Sequence, residues 1–189
     1  MSPMRDAPLV HPETRPAWRA WLEANHATAS GAWLVMNREQ ARSNVYEDAV
    51  QEALCFGWID STGGRIDDEH SKLYFAVRKS NSGWAATNKA RLERLFAEGR
   101  MAPAGIAAVE RAKANGTWTL LDSVERLEVP EDLSTALLAQ SPAEASFAAW
   151  PPSVRKQALT WLVQARRPET RLDRIRKLVD SAQRNVRPF

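Results

Sequence analysis

The sequence predicts an α+β fold, mostly helical, with a small antiparallel sheet packed by helices and a C-terminal helical bundle. Three observations point there. The apolar run at 32–36 is too short and too aromatic for a helix and reads as a buried strand, and the run at 73–77, ending at Arg78, reads as another. A Gly63-Gly64 pair interrupts a third strand-like stretch, 58–61 continued by Arg65-Ile66. From Thr87 onward apolar residues recur at helical spacing. The 189 residues suit one substantial domain, or a domain with a helical appendage.

Taken in order, residues 1–13 are Pro-rich and aperiodic and read as a mobile N-terminal arm. Thr14 is placed to cap a helix that turns Trp18, Trp21 and Leu22 to one face. His26 near its end can satisfy open carbonyls and the helix dipole; a catalytic role is the alternative. Gly31 precedes the first strand. Asn44 and Glu47 form a capping-box pattern before Tyr46, Ala49, Val50, Ala53 and Leu54, and Gly57 suits the left-handed position closing that helix. Gly63-Gly64 reads as a tight turn with positive φ angles, and residues 67–71 as a second turn. The expected sheet has three or four strands and needs helices on one face.

A helix then takes Leu92, Leu95 and Phe96 inward and stops at Gly99. The next opens at Pro103, carries Ile106 and Val109, and closes at Asn115-Gly116. Residues 117–129 read as irregular, the seam between a 14–120 core and a 121–189 helical domain. Leu133, Ala136 and Leu137 follow, then a capping box at Ser141 to Glu144 leading into Phe147. Val154, Ala158, Trp161, Leu162 and Ala165 make the clearest amphipathic stripe. Leu172, Ile175, Leu178 and Val179 define the last helix.

Composition excludes several classes. Hydrophobic residues are 44% of the chain, enough for a core, while a mean hydropathy of -0.45 and the absence of any apolar run near the roughly 20 residues a span needs exclude a transmembrane segment. Met1 to Asp6 lack the apolar stretch and small-residue cleavage site of a signal peptide, so none is expected. Cys55 is the single cysteine, so no internal disulfide forms, which fits a cytoplasmic setting. With three scattered histidines besides, no metal site or cofactor is expected. The net charge of +3 is unevenly spread: from Pro151 onward ten basic residues face three acidic ones, against 16 and 20 before it. Such asymmetry fits a polyanion partner or a solvated helical end.

The densest mixture of aromatic and charged residues lies between Cys55 and Lys89. Asp60 follows Trp58 and Ile59 on an apolar strand, where an isolated buried carboxylate costs several kcal/mol and so needs a partner. Arg78 at the end of the next strand can supply it across the sheet. The pair either fixes sheet register or lines a pocket where Asp60 accepts hydrogen bonds, or acts as a base, and Arg78 clamps an anion. Trp58 and Trp84 are core residues or walls of that pocket. Asn88 and Lys89 fall in the first turn of a helix, whose N–H groups attract anions. Cys55 reads as packing. No phosphate-loop or dinucleotide fingerprint occurs, and nucleophilic catalysis has no supporting constellation.

These residues carry a resemblance. Ala53 to Asp60, Ile66-Asp67-Asp68-Glu69, Arg78-Lys79, Trp84 and Asn88-Lys89 resemble the signature of the YdeI/OmpD-associated (bacteriocin-protection) family. Glu98 to Met101, Ala104-Gly105 and Ala112-Lys113 continue it. Residues 130–133 and 167–175 are similar to that family's helical C-terminal domain. Ser71, Val77 and Ala85 depart from its usual residues. The resemblance implies an uncharacterised role in protection against antimicrobial peptides or in association with a porin.

The leading expectation is therefore a cytoplasmic protein that binds a small-molecule or anionic ligand through Trp58, Asp60, Arg78, Trp84, Asn88 and Lys89, with no reaction assigned. A second expectation is a nucleic-acid- or anionic-surface-binding protein acting through Arg171, Arg174, Arg176 and Lys177. In that helix Asp173 with Lys177, and Arg176 with Asp180, are spaced to pair. The third is a partner-binding scaffold without a pocket. Oligomeric state is not legible.

Overall fold

The structure, a computed structural model, describes residues 4–37 and 45–189. The chain divides into two compact units, Met1–Ser82 with Thr87–Asn115, and Gly83–Ala86 with Gly116–Phe189. The first contains strands β1 (Leu9–Val10), β2 (Gly31–Asn37), β3 (Trp58–Arg65) and β4 (His70–Val77). Its helices are α1 (Arg15–Asn25), α2 (Val45–Cys55), α3 (Ala86–Ala97, whose first residue falls in the second unit) and α4 (Pro103–Ala114).

The sheet order is β1-β2-β4-β3. β2/β4 and β4/β3 are antiparallel, but β1 pairs parallel with β2 through Leu9↔Trp33 and Val10↔Leu34, so the sheet is mixed. The stretch expected to be a mobile arm thus supplies a strand. Trp33 fastens it twice, donating its backbone N–H to Pro8 O at 2.9 Å and its indole N–H to Met4 O at 2.9 Å. The first three residues of that stretch lie outside the described residues.

Opposed residues of an antiparallel pair share a face. Ala32↔Phe75 and Leu34↔Leu73 therefore point together, and the Trp18 ring of α1 lies 5.5 Å from Phe75. Each such side chain, once buried, stabilises by about 1.5–3 kcal/mol, against about 1 kcal/mol net for a ladder hydrogen bond. Apolar packing therefore carries more per residue than strand pairing does. The Thr14 hydroxyl accepts the Ala17 N–H at 3.3 Å and starts α1 as expected. Where α1 ends, His26 Nδ1 lies 2.8 Å from Leu22 O, the expected local satisfaction of a terminal carbonyl. The Asn44 half of the predicted capping box lies outside the described residues.

Gly57, at φ 73, ends α2 in the left-handed region as predicted. Gly63-Gly64 is a correction. Both lie inside β3, paired with Leu73 and Lys72, and neither has positive φ. The register slips between Asp60 and Gly63, a bulge that a glycine-rich strand accommodates readily. The reversal falls instead at Asp67, whose Oδ1 accepts backbone N–H groups of Glu69 at 2.9 Å and His70 at 2.6 Å. Phe96, expected inward, is exposed on α3, while Leu92 and Leu95 are buried.

The second unit holds α5 (Asp122–Glu125), α6 (Glu131–Leu138), α7 (Ala143–Ala149), α8 (Pro152–Val163) and α9 (Pro168–Gln183). Its core joins Val124, Leu133, Leu137, Phe147, Trp150, Leu159, Leu162 and Leu178. The stretch 117–129, read as irregular, thus contributes α5 and buried Val124. The predicted box at Ser141 does not form. The chain turns through Gln140, whose carbonyl accepts Ala143 N–H at 2.7 Å, and α7 begins after Pro142 with no side-chain cap. Leu172 is exposed on α9, whereas Ile175, Leu178 and Val179 point inward.

Gly105 sits where α4 meets the end of α2. A Cβ there would overlap the Cys55 carbonyl oxygen and lie 2.9 Å from Leu54 O. Both neighbours are backbone and cannot swing aside. Gly105→Ala is therefore expected to destabilise the first unit by about 1–3 kcal/mol; a urea unfolding midpoint equal to the parent's would refute this close approach.

Candidate functional site

Four of the six candidate residues from the sequence share one region of the first unit, and Trp58 lies deeper in that unit. Asp60 stands opposite Phe75, not Arg78, whose backbone N–H donates to Gly57 O at 3.0 Å. The two are still electrostatically linked. Burial lowers the Arg78 guanidinium to about 10, and the Asp60 charge opposes that shift. Asp60 Oδ2 accepts the Tyr46 hydroxyl at 3.0 Å. Burial first, then the Asp60 charge, pushes the Tyr46 phenol up.

Beside them, Arg91 grips Glu47 in a fork, Nε to Oε1 at 2.9 Å and Nη2 to Oε2 at 2.6 Å. Its Nη1 donates to Asn88 Oδ1 at 2.8 Å. Asn88 is thus engaged by its own helix. Lys89 is half-buried in the first turn of α3. At the start of α3 the Ala86 N–H donates to Glu125 Oε1 at 3.2 Å, so a carboxylate of the chain itself already meets this helix end. Trp58 is buried in the first unit, its ring 6.0 Å from Trp21 and edge-on to it. Trp84 belongs to the second unit, 5.4 Å from Trp118.

A second charged assembly joins α1, α2 and the segment after α3. Glu52, 1% exposed, receives Arg15 Nε at 2.6 Å, Arg19 Nη1 at 2.9 Å and Arg100 Nη2. Each arginine also meets a second carboxylate nearer solvent: Asp48, Glu23 and Glu98 respectively. Three guanidinium groups thus face four carboxylates, a satisfied network with no surplus positive charge for an anion. Its effect reaches Cys55, whose thiol is pushed up by burial and by the Glu52 charge, and opposed by Arg19. Cys55 is a packing residue.

Next to this network lies a pocket of about 300 Å³, at the lower end of small-molecule sites. Trp18, Leu34, Met36 and Ala49 give it apolar walls, and His11, Glu13, Arg15, Asp48 and His70 polar ones. The His11 and His70 rings stand edge to face at 6.5 Å. His70 Nδ1 lies 3.0 Å from Asp67 Oδ1. None of the six sequence-derived candidates lines this pocket. It forms from β1's downstream loop, α1, β2, α2 and the start of β4, segments too far apart in the chain for local patterns to connect. One signal was present: Arg15 and Arg19 form a basic i,i+4 pair on α1, and Asp48 and Glu52 an acidic one on α2.

The basic surface of α9 is largely occupied. Arg171 forks onto Asp132, Nε to Oδ2 at 2.6 Å. Arg174 donates to Trp161 O and lies 4.9 Å from the Trp161 ring. Arg176 pairs with Asp173 at 2.8 Å and Arg184 with Asp180, a partner exchange relative to the predicted i,i+4 pairs. Lys177 is exposed. Among the described residues, no group of three or more His, Cys, Asp or Glu is placed to hold a metal ion, and no helix is long and apolar enough to cross a membrane.

A family model described as Domain of unknown function (DUF8412) matches residues 10–108, over half of the chain. A second, described as Bacteriocin-protection, YdeI or OmpD-Associated, matches residues 126–185. The resemblance to that family stands on this C-terminal segment, while the motifs between Ala53 and Lys89 fall under the first model. No match was found among curated proteins or solved structures.

Two outcomes follow from the charged assemblies. Glu47, lowered to about 2 first by the Arg91 hydrogen bond, should titrate there in a carboxylate NMR experiment and return toward the ordinary range in Arg91→Ala. Because the folded value is depressed, the pair stabilises above the unfolded value near 4.5 and that contribution fades as pH falls toward 2. Glu52→Ala should cost about 3 kcal/mol in denaturant unfolding, since it leaves three partly buried arginines without their shared acceptor; a loss below about 1 kcal/mol would show the arginines to be served by their outer partners alone.

Proposed function

We propose, for a chain that belongs to the DUF8412 family and carries a YdeI/OmpD-associated segment at residues 126–185, a role in binding a small molecule within its first unit. The observation that carries this reading is the pocket bounded by Trp18, Leu34, Met36 and Ala49 on its apolar side and by His11, Asp48 and His70 on its polar side. Apolar walls supply affinity, and a few polar groups fix orientation. The Glu52 network stands directly behind Arg15 and Asp48 and holds that side of the pocket rigid. Preorganisation of this kind lowers the entropy lost on binding.

The printed description of the second family, bacteriocin protection, supplies a setting: capture of a harmful compound or of a stress signal, in the cytoplasm. Asp60, Arg78, Asn88 and Lys89 then serve as a polar support around Tyr46 and Arg91, with Trp58 as core. The α9 surface offers less to a polyanion than its composition implied, because Arg171, Arg174, Arg176 and Arg184 are engaged within the chain.

The test is a fragment screen by thermal shift, followed by amide NMR mapping. A pocket ligand at about 100 times its Kd adds about 2.7 kcal/mol, a rise of several degrees in Tm. Its amide shifts should centre on Leu34, Ala49 and His70, and Ala49→Phe should abolish them while far-UV circular dichroism stays unchanged. A screen in which no fragment moves those amides ends the proposal.

A further inference from the structure

Resting on the pocket being a ligand site, we infer that it selects a small organic cation, an apolar body carrying an amine or guanidine head, and disfavours anions. The argument is an inventory of donors and acceptors. Among the described lining residues, Arg15 carries the fixed positive charge, and each of its nitrogens already donates one hydrogen bond: Nε to Glu52 at 2.6 Å, Nη1 to Asp48, and Nη2 to Gln51 Oε1 at 2.9 Å. An entering anion would compete with two carboxylates for that guanidinium.

The acceptors are better placed. Asp48 and Glu13 both line the pocket, and an ionised carboxylate accepts about four hydrogen bonds, so Asp48 keeps capacity beyond its arginine. His70 also lines the pocket, with its Nδ1 3.0 Å from Asp67 Oδ1. Two carboxylates against one guanidinium give the described lining a formal charge of −1. An ammonium head can form charge-assisted hydrogen bonds with this rim, while its hydrocarbon lies against Trp18, Leu34 and Met36.

The decisive comparison uses two probes of equal shape, 3-phenylpropylamine and 3-phenylpropionate, titrated into the full chain with amide NMR and calorimetry. The amine is expected to bind at least tenfold more tightly than the carboxylate, with shifts at Ala49 and His70. Asp48→Asn should weaken the amine at least tenfold. Should that variant unfold, exposed Glu13→Gln provides the second reading, with an expected loss of a few-fold. Carboxylate binding equal to or tighter than amine binding, mapped to the same amides, overturns the cation inference while leaving the ligand-site proposal intact. Amine shifts confined to residues outside the pocket, or no shift by either probe, also overturn it; the ligand-site proposal falls separately, if the fragment screen leaves the pocket amides unmoved.

Discussion

Burying a carboxylate is unfavourable by several kcal/mol unless its surroundings replace the lost water, and the first unit is arranged around meeting that requirement at Glu52. Arg15 and Arg19 come from one helix, Arg100 from the chain beyond α3, and all three converge on two oxygen atoms. Arg19 ties the arrangement further by donating to the Arg100 carbonyl at 3.1 Å. Moving α1 relative to α2 would strip Glu52 of at least two donors at once. Apolar packing of Trp18 and Leu22 draws the helices together, and the ion network fixes their register.

That division of labour explains the placement of the pocket. Trp18, Leu34, Met36 and Ala49 line one side of it, while Asp48 and Arg15 on the other are anchored by their neighbours. The result is a concavity with a soft apolar side and a stiff polar one. In the Tyr46, Asp60 and Arg91 group, by contrast, Tyr46 pairs with Asp60 and Arg91 with Glu47. Both arrangements pair charged or polar side chains with one another, and they differ in whether space is left beside them.

The elements legible in the sequence are those specified locally. Thr14 before a periodic run, Gly57 after one, and the aromatic strand at β2 each state their conformation within a few residues. Gly63-Gly64 misled because paired glycines fit a turn and a bulged strand equally well, and only the partner strand decides between them. Phe96 and Leu172 were assigned inward by periodicity, yet each sits at the margin of its helix's apolar stripe and ends up exposed. Asp60 acts electrostatically on Arg78 but stands across the sheet from Phe75, because the register depends on the whole strand pair. Trp84 could not be separated from Trp58 without knowing that the chain passes between two units at residue 83. The pocket was invisible because His11, Trp18, Met36, Asp48 and His70 meet only through long-range packing.

The bulge in β3 has a consequence for how molecules of this protein meet one another. Among the described residues, the strand order places β3 at one edge of the sheet, and an edge strand is a template for another chain. Here the extra residue between Asp60 and Gly63 breaks the even spacing of N–H and C=O groups, and the residues from Ser61 to Arg65 are exposed, polar or glycine. A foreign strand would find neither a continuous ladder nor an apolar surface to cover. The glycine pair that looked like a device for reversing the chain thus makes this edge a poor template for a further strand.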